Sequence, residues 1–417
     1  MKLFLVVLTV FFLNSSYSQD FNSQIDAFKS NLKTVKGNKE EFSQSVTVIE
    51  PAVIKVTIEK TSSKDKATLV FFEFNPSDIN KGSIKKVVKK DVVYMHIKTK
   101  SKQKLIKKTT NNEKVSYVDN IKIYAEGIEN ARELVSSFSE SIPLAKIITD
   151  ARLNLSTYDE YLNWLKNNIS DVNLPILEIT QQIKENSDYI GSITYNKTIT
   201  KKATDKTSFV FNLLTLNSKA IDYKVVGETF NISLETNKSK KSIKYFEEGA
   251  QKKFINKFLI ACNTIEQSKD LIKVLKGIIP LAKEKFMGSI KPVVSINEGF
   301  TKINSLIGSF EVNNESIKQY FTGDCIANFD LSIDADKSEN YHYDFNYSDI
   351  DVKKIDHTSK DNFLTVNLVT KGKEPFIKLV EDGEKSSYIK VLKLYVPSIE
   401  KTLILEQYLR DILKLCE

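Results

Sequence analysis

Glycine and proline are scarce in this 417-residue chain, at 13 and 8 residues. Long flexible linkers draw on both, so none is expected. The three cysteines, Cys262, Cys325 and Cys416, are too few and odd in number for a disulfide scaffold. The three histidines, His96, His342 and His357, have no second His or Cys at ligand spacing, so no metal centre is expected. The stretch DADKSEN, 334–340, has Glu339 where a calcium loop needs glycine and Phe345 where it needs the ligating glutamate. A glycine-rich phosphate loop, a G-x-S-x-G elbow and paired cysteine motifs are all missing. No catalytic constellation and no cofactor are therefore expected. Past the N-terminus no apolar run reaches the length of a transmembrane helix.

What is present begins with an address. Lys2 precedes the apolar run Leu3–Leu13, and the small residues Ser16 and Ser18 stand before Gln19. Residues 1–18 read as a secretory signal peptide, which predicts a periplasmic or extracellular protein. No cysteine follows the apolar run to carry a lipid anchor. The segment resembles the signal peptides of Bacteroidetes, which often end in Ser-Gln or Ala-Gln. The remaining chain, 41% hydrophobic and 27% charged overall, has the balance of a folded protein.

The phrase FNPSDIN at 74–80 returns as FNYSDID at 345–351, and FNLLTLN at 211–217 stands between them. Their phenylalanines, Phe74, Phe211 and Phe345, serve as anchors. Other residues recur at fixed offsets: Thr99, Thr236 and Thr370; Ile106-Lys107, Ile243-Lys244 and Ile377-Lys378; Tyr117, Phe254 and Tyr388; Ile128-Glu129, Ile265-Glu266 and Ile399-Glu400. IPLAK occurs at 142–146 and again at 279–283. Such agreement without a gap predicts three tandem repeats, 19–148, 149–285 and 286–417.

Each repeat opens on a helical pattern: 23–35, 158–169 and 295–310. Alternating segments follow, clearest in the third repeat as CIANFDLSID, NYHYDFNYSDI, FLTVNLVTK, PFIKLVEDG and SYIKVLKLYV. A hairpin turn carries Asn112, Gly249 or Gly383, residues that tolerate a left-handed backbone. Each repeat closes with a helix after Gly127, Thr264 or Ser398, with Thr264 and Gln267 forming a capping box. The expected inward stripe is Ile128, Ala131, Leu134, Phe138, Ile142 and Ala145, with its equivalents in the other repeats. Pro143 and Pro280 should kink or end the helix late. The expected class is α+β: an N-terminal helix, an antiparallel meander of five to seven strands, and a closing helix in each repeat. This resembles the pleckstrin-homology-like fold, including bacterial forms with an F-x-x-SDI-type strand end. Antiparallel helix-grip sheets are the competing fold.

Chemistry is weakly written. Asp78, Thr215 and Asp349 share one position, so the acid is dispensable to the fold. The Ser and Asp of the phrase are expected to turn the chain by bonding nearby N–H groups. Cys262 and Cys416 replace small apolar residues, which predicts buried thiols. A disulfide between Cys325 and Cys416 is one alternative in an oxidising compartment.

Charge is uneven. Residues 81–108 hold eleven lysines against Asp91 alone, whereas 324–351 hold seven aspartates and Glu339 against Lys337. Lys85, Lys86, Lys89, Lys90, Lys98, Lys100, Lys102 and Lys104 form a candidate anion-binding face. The opposite charges of repeats one and three also suit oligomerisation. Lysines that merely keep strand edges soluble are the plain alternative. Nucleic acid is not an expected partner, because interleaved aromatics are missing. The expected function is a non-enzymatic binding or scaffold protein that meets an envelope protein or an anionic glycan or lipid surface. Alternatives are a carrier of an apolar ligand between sheet and helix, and an enzyme with its site between repeats.

Overall fold

The computed structural model describes residues 18, 20–62, 67–89, 91–174, 177–312, 314–360 and 362–417. The signal-peptide reading falls almost wholly on residues 1–17, outside the described residues, as does Lys90. The chain is α+β, with antiparallel sheets and six helices among the described residues: α1 (20–30), α2 (Ile128–Ala151), α3 (Tyr158–Asn168), α4 (Ile265–Ser289), α5 (Ile296–Ile307) and α6 (Ile399–Cys416). None is long and apolar enough to cross a membrane.

The strands fall into three sets with the same connectivity. In the first, a six-stranded sheet runs in the order Val35–Lys36, Glu40–Glu50, Val53–Ser62, Thr68–Phe74, Ile106–Thr110 and Lys114–Val118. A three-stranded sheet holds Lys85–Lys89, Val92–Lys98 and Asn120–Ala125. The second set gives a six-stranded sheet from Val172 to Ile255 and a smaller one of Asp222–Val226, Thr229–Glu235 and Lys257–Cys262. The third gives a six-stranded sheet from Ser309 to Ile389 and a smaller one of Asp356–Lys360, Phe363–Val369 and Val391–Val396. With its two helices, each set is a unit.

Nine strands per unit exceed the five to seven of the expected meander. SYIKVLKLYV, one alternating run in sequence, bends at Lys390 and serves both sheets. The edge strands Lys85–Lys89 and Asp356–Lys360 are too polar to show the alternation of a half-buried strand.

The hairpin turns obey local chemistry. Asn111-Asn112, Glu248-Gly249 and Asp382-Gly383 have positive φ at both central positions, from 48° to 81°. That pattern matches a type I′ turn, which follows the twist of the strands it joins.

One tie is invisible in the pattern. Gln44 bridges Lys33 O and the backbone of Tyr124, linking the large sheet to the small one. Gln319 does the same between Ile307 O and Tyr395, and Gln181 between Ser170 O and Ala261 O. Each fixes the mouth between the two sheets while satisfying backbone groups that strand pairing leaves free.

The closing helices cover the cores. Leu134, Phe138 and Ala145 of α2 are fully buried, as are Leu405 and Leu409 of α6, and Leu275 of α4 is 1% exposed. Phe138 packs near Phe28 of α1 and Phe74. Three details differ from expectation. Helix α2 continues through Pro143 to Ala151 and α4 through Pro280 to Ser289, past the expected boundaries at 148 and 285. Gln267 reaches the N–H of Asn263 rather than that of the N-cap Thr264, so the reciprocal box is not formed there; it is formed by Thr157 and Glu160. And Ile128, expected inside, is 52% exposed, whereas Ile265 and Ile399 are 8% and 2% exposed. The reason lies between units.

Candidate functional site

The recurrent phrase turns the chain through its asparagine. The Asn75 side chain accepts from Ser77 N, Asn212 from Leu214 N and Asn346 from Ser348 N, all at 2.9–3.0 Å, capping a single 3₁₀ turn. The serine and aspartate expected to do this do not. The recurrent threonines hold the neighbouring loop: Thr99 Oγ1 donates to Gln103 O, Thr236 to Lys240 O and Thr370 to Glu374 O.

Asp78 is thereby free for another task. It lies where the first unit meets the second, and Lys269 of α4 bonds both of its oxygens, at 2.9 and 3.1 Å. Lys269 also pairs with Glu266 one turn earlier, at 2.5 Å. The Glu266 side chain is 8% exposed and accepts from Asn75 Nδ2 and Arg152 Nη1. Arg152, just past α2, also grips Asp270 through Nε and Nη2. Burial raises Asp78, partly offset by Lys269, and burial likewise raises Asp270 against the pull of Arg152. Apolar contacts flank these charges: the Tyr117 ring lies tilted against Phe230 at 4.9 Å, with Leu105, Val115 and Ile265 around them. Burial pushes the Tyr117 hydroxyl up to about 12.

The second junction uses the same positions. Glu400, equivalent to Glu266, is 6% exposed and accepts from Ser192 Oγ at 2.8 Å. Phe254, equivalent to Tyr117, packs with Leu364 and Ile399. Asp356 pairs with Lys240, and Ser359 Oγ donates to Lys241 O. Behind them, His357 Nδ1 lies 2.7 Å from Glu406 Oε1, and Arg410 bonds Glu406 Oε2 at 3.2 Å. Burial would raise Glu406, but the hydrogen bond from His357 and the Arg410 charge hold it below the usual range.

Asp356, His357 and Glu406 present ligand-type atoms within 4.8 Å of one another. Lys240 pairs with Asp356 and Arg410 with Glu406, so each carboxylate of the group also faces a cation. The His357–Glu406 pair was not legible in sequence, since 49 residues separate its members. The second unit has Tyr223 and Ile272 in their places.

The candidate anion-binding lysines do not converge on one point. Lys85, Lys86 and Lys89 line an exposed edge strand, and Lys98 ends the strand beside it. Lys100, Lys102 and Lys104 sit in the next loop, where Lys100 bonds Ser77 O. Cys325 and Cys416 are joined as a disulfide with a Cα separation of 5.5 Å. Cys262 is free and buried, and burial pushes its thiol up to about 12.

Fully buried side chains fill the space between helix and sheet. An apolar cleft of about 350 Å³ opens elsewhere, between the two sheets of the first unit. Phe42, Ile58, Val70, Phe72, Ile121 and Tyr124 line it, with Lys60, Lys108 and Lys122 among them.

No protein-family model, curated protein or solved structure matches this chain.

Proposed function

We propose that this chain is an exported, non-enzymatic scaffold built from three tandem copies of a pleckstrin-homology-like module, which presents its surfaces to an envelope protein or an anionic glycan or lipid. One observation carries the reading. The backbone recurs three times down to its turn hydrogen bonds, yet the recurrent buried acid beside them among the described residues, Glu266 and Glu400, is used to join modules. At the first junction Asp78 and Glu266 pair with Lys269, and Asp270 with Arg152, while at the second Glu400 accepts from Ser192; these contacts hold modules together rather than posing a proton donor or acceptor over a cleft. The exposed lysines of the first module supply the anion-facing side.

Binding of the purified protein to lipopolysaccharide and to phosphatidylglycerol vesicles tests this. Charge reversal at Lys85, Lys86 and Lys89 should abolish binding. Binding that persists unchanged would remove the basic strand from the reading.

The cleft between the sheets of the first module favours a second reading, a carrier of an apolar ligand with an anionic head. It lies between sheets rather than between sheet and helix. Mass spectrometry of small molecules that co-purify with the native protein, and their loss in Val70→Trp, tests that reading.

A further inference from the structure

The two junctions inside this chain use one surface pair twice. The outgoing surface is built from the strand end and turn around Phe74 or Phe211, with Tyr117 or Phe254 nearby. The incoming surface is the start of the closing helix, Ile265-Glu266 or Ile399-Glu400, and the first two strands of the small sheet. The incoming surface of the first unit and the outgoing surface of the third are exposed in the structure, covered by no other described unit.

Both free surfaces keep the apolar residues of a junction. On the first unit Ile128 stands at the position of Ile265 and Ile399, and is 52% exposed where they are buried. Val88, at the position of Val225 and Ser359, is 60% exposed. On the third unit Tyr388 stands where Tyr117 and Phe254 do and is 65% exposed, against 8% and 6%. Phe376 replaces Leu105 and is 50% exposed against 3%. Ile326, which pairs with Asn346 as Ser192 does with Asn212, is 65% exposed where Ser192 is fully buried. Exposed large apolar residues in such a cluster mark an interaction site rather than ordinary surface.

The charges also match, pair by pair. At the first junction Asp78 meets Lys269; at the second the same positions hold Thr215 and Leu403, both uncharged. At the free ends they hold Asp349 and Arg132, opposite in sign. Arg132 already pairs with Glu129 one turn earlier, as Lys269 does with Glu266. Lys240 meets Asp356 at the second junction, and the same two positions at the free ends hold Glu374 and Lys85, with the signs exchanged. Lys378 and Glu129 repeat the positions of Lys244 and Glu400, whose charges act on one another at the second junction. A pair that changes sign together is what a real contact requires, because either charge alone would be left unpaired on burial.

We infer that the third unit of one molecule docks onto the first unit of a second copy, continuing the intrachain stacking head to tail. Such a contact is heterologous, so it closes into a ring or grows into a filament according to the rotation per unit. The inference rests on the scaffold reading and names its partner: the anion facing the basic strand is the acidic rim of another copy.

Sedimentation velocity of the purified protein, from nanomolar to high-micromolar concentration, tests this. The expected result is a mass that rises with concentration beyond the monomer. Tyr388→Ser and Ile128→Ser should each weaken association about tenfold or more, as removal of central interface anchors does. Asp349→Arg and Arg132→Asp should each do the same, and the two together in one chain should restore it. A protein that stays monomeric throughout, or association indifferent to all four substitutions, overturns the inference. Tyr388→Ser leaves Lys85, Lys86 and Lys89 in place, so lipopolysaccharide binding by a strictly monomeric protein would defeat this inference and leave the scaffold reading standing.

Discussion

The ammonium of Lys269 lies 2.9 Å from the carboxylate of Asp78, across 191 residues of sequence. The two side chains are 13% and 12% exposed, and Glu266 shares the cation. This small network fixes how the second unit sits on the first.

Removing its cation should be costly. Lys269→Met leaves Asp78 without its ion-pair partner and Glu266 with Arg152 alone, and a broken buried pair costs about 3 kcal/mol or more. Replacing both partners by the residues of the second junction, Asp78→Thr with Lys269→Leu, should recover to within about 1 kcal/mol of the natural protein, because an apolar isostere removes both desolvation penalties together. Urea denaturation of the three variants measures this, and a double variant as unstable as the single would contradict it.

Gln319 is the strongest test of the tie between sheets. Its amide serves Ile307 O, Tyr395 O and Tyr395 N, and the residue is 3% exposed. Gln319→Leu preserves volume but strands these backbone groups, so a loss of about 2–3 kcal/mol is expected. Hydrogen exchange should show protection lost first at Tyr395.

The disulfide closes a loop across a sequence separation of 91 residues. On chain-entropy grounds its removal by Cys325→Ser with Cys416→Ser should cost about 4 kcal/mol. The melting transition of the oxidised protein should fall to that of the double variant on adding reductant. If reductant leaves the transition in place, the bridge contributes nothing to folding.

His342 gives a pH dependence with a definite sign. The hydrogen bond to Asp330 raises it above the ordinary 6.5, burial opposes, and Asp344 adds to the rise. A raised folded value means that the folded protein holds the proton more tightly. The stabilisation is therefore complete below 6.5 and disappears as pH climbs through the folded value. Natural protein should lose stability from pH 6 to pH 8 by more than His342→Gln does, measured by thermal melts at the two pH values. Equal losses would remove His342 from the account.

Much of the unit was legible in sequence because its signals are local. Helices Tyr158–Asn168 and Ile296–Ile307 declare themselves by period, although the stretch expected to be helical to 310 gives way to the strand Ser309–Val312. The turn at Asn112, Gly249 and Gly383 is marked by residues that accept positive φ. The closing helices begin where Gly127, Thr264 and Ser398 said they would. The polar edge strand Lys85–Lys89 gives no such signal, since a strand exposed on both faces lacks alternation.

The sequence by itself determined the caps, the turns and the order of helix, strands and helix, because each depends on residues a few positions apart. Only the tertiary structure decided what the differences between units mean. Ile128, Ile265 and Ile399 are the same letter at the same offset, and the chain gives no local reason to bury two and expose one. Asp78 likewise read as part of a turn until Lys269 was brought beside it. Burial and pairing are properties of surfaces that meet, and those surfaces are assembled from segments more than a hundred residues apart.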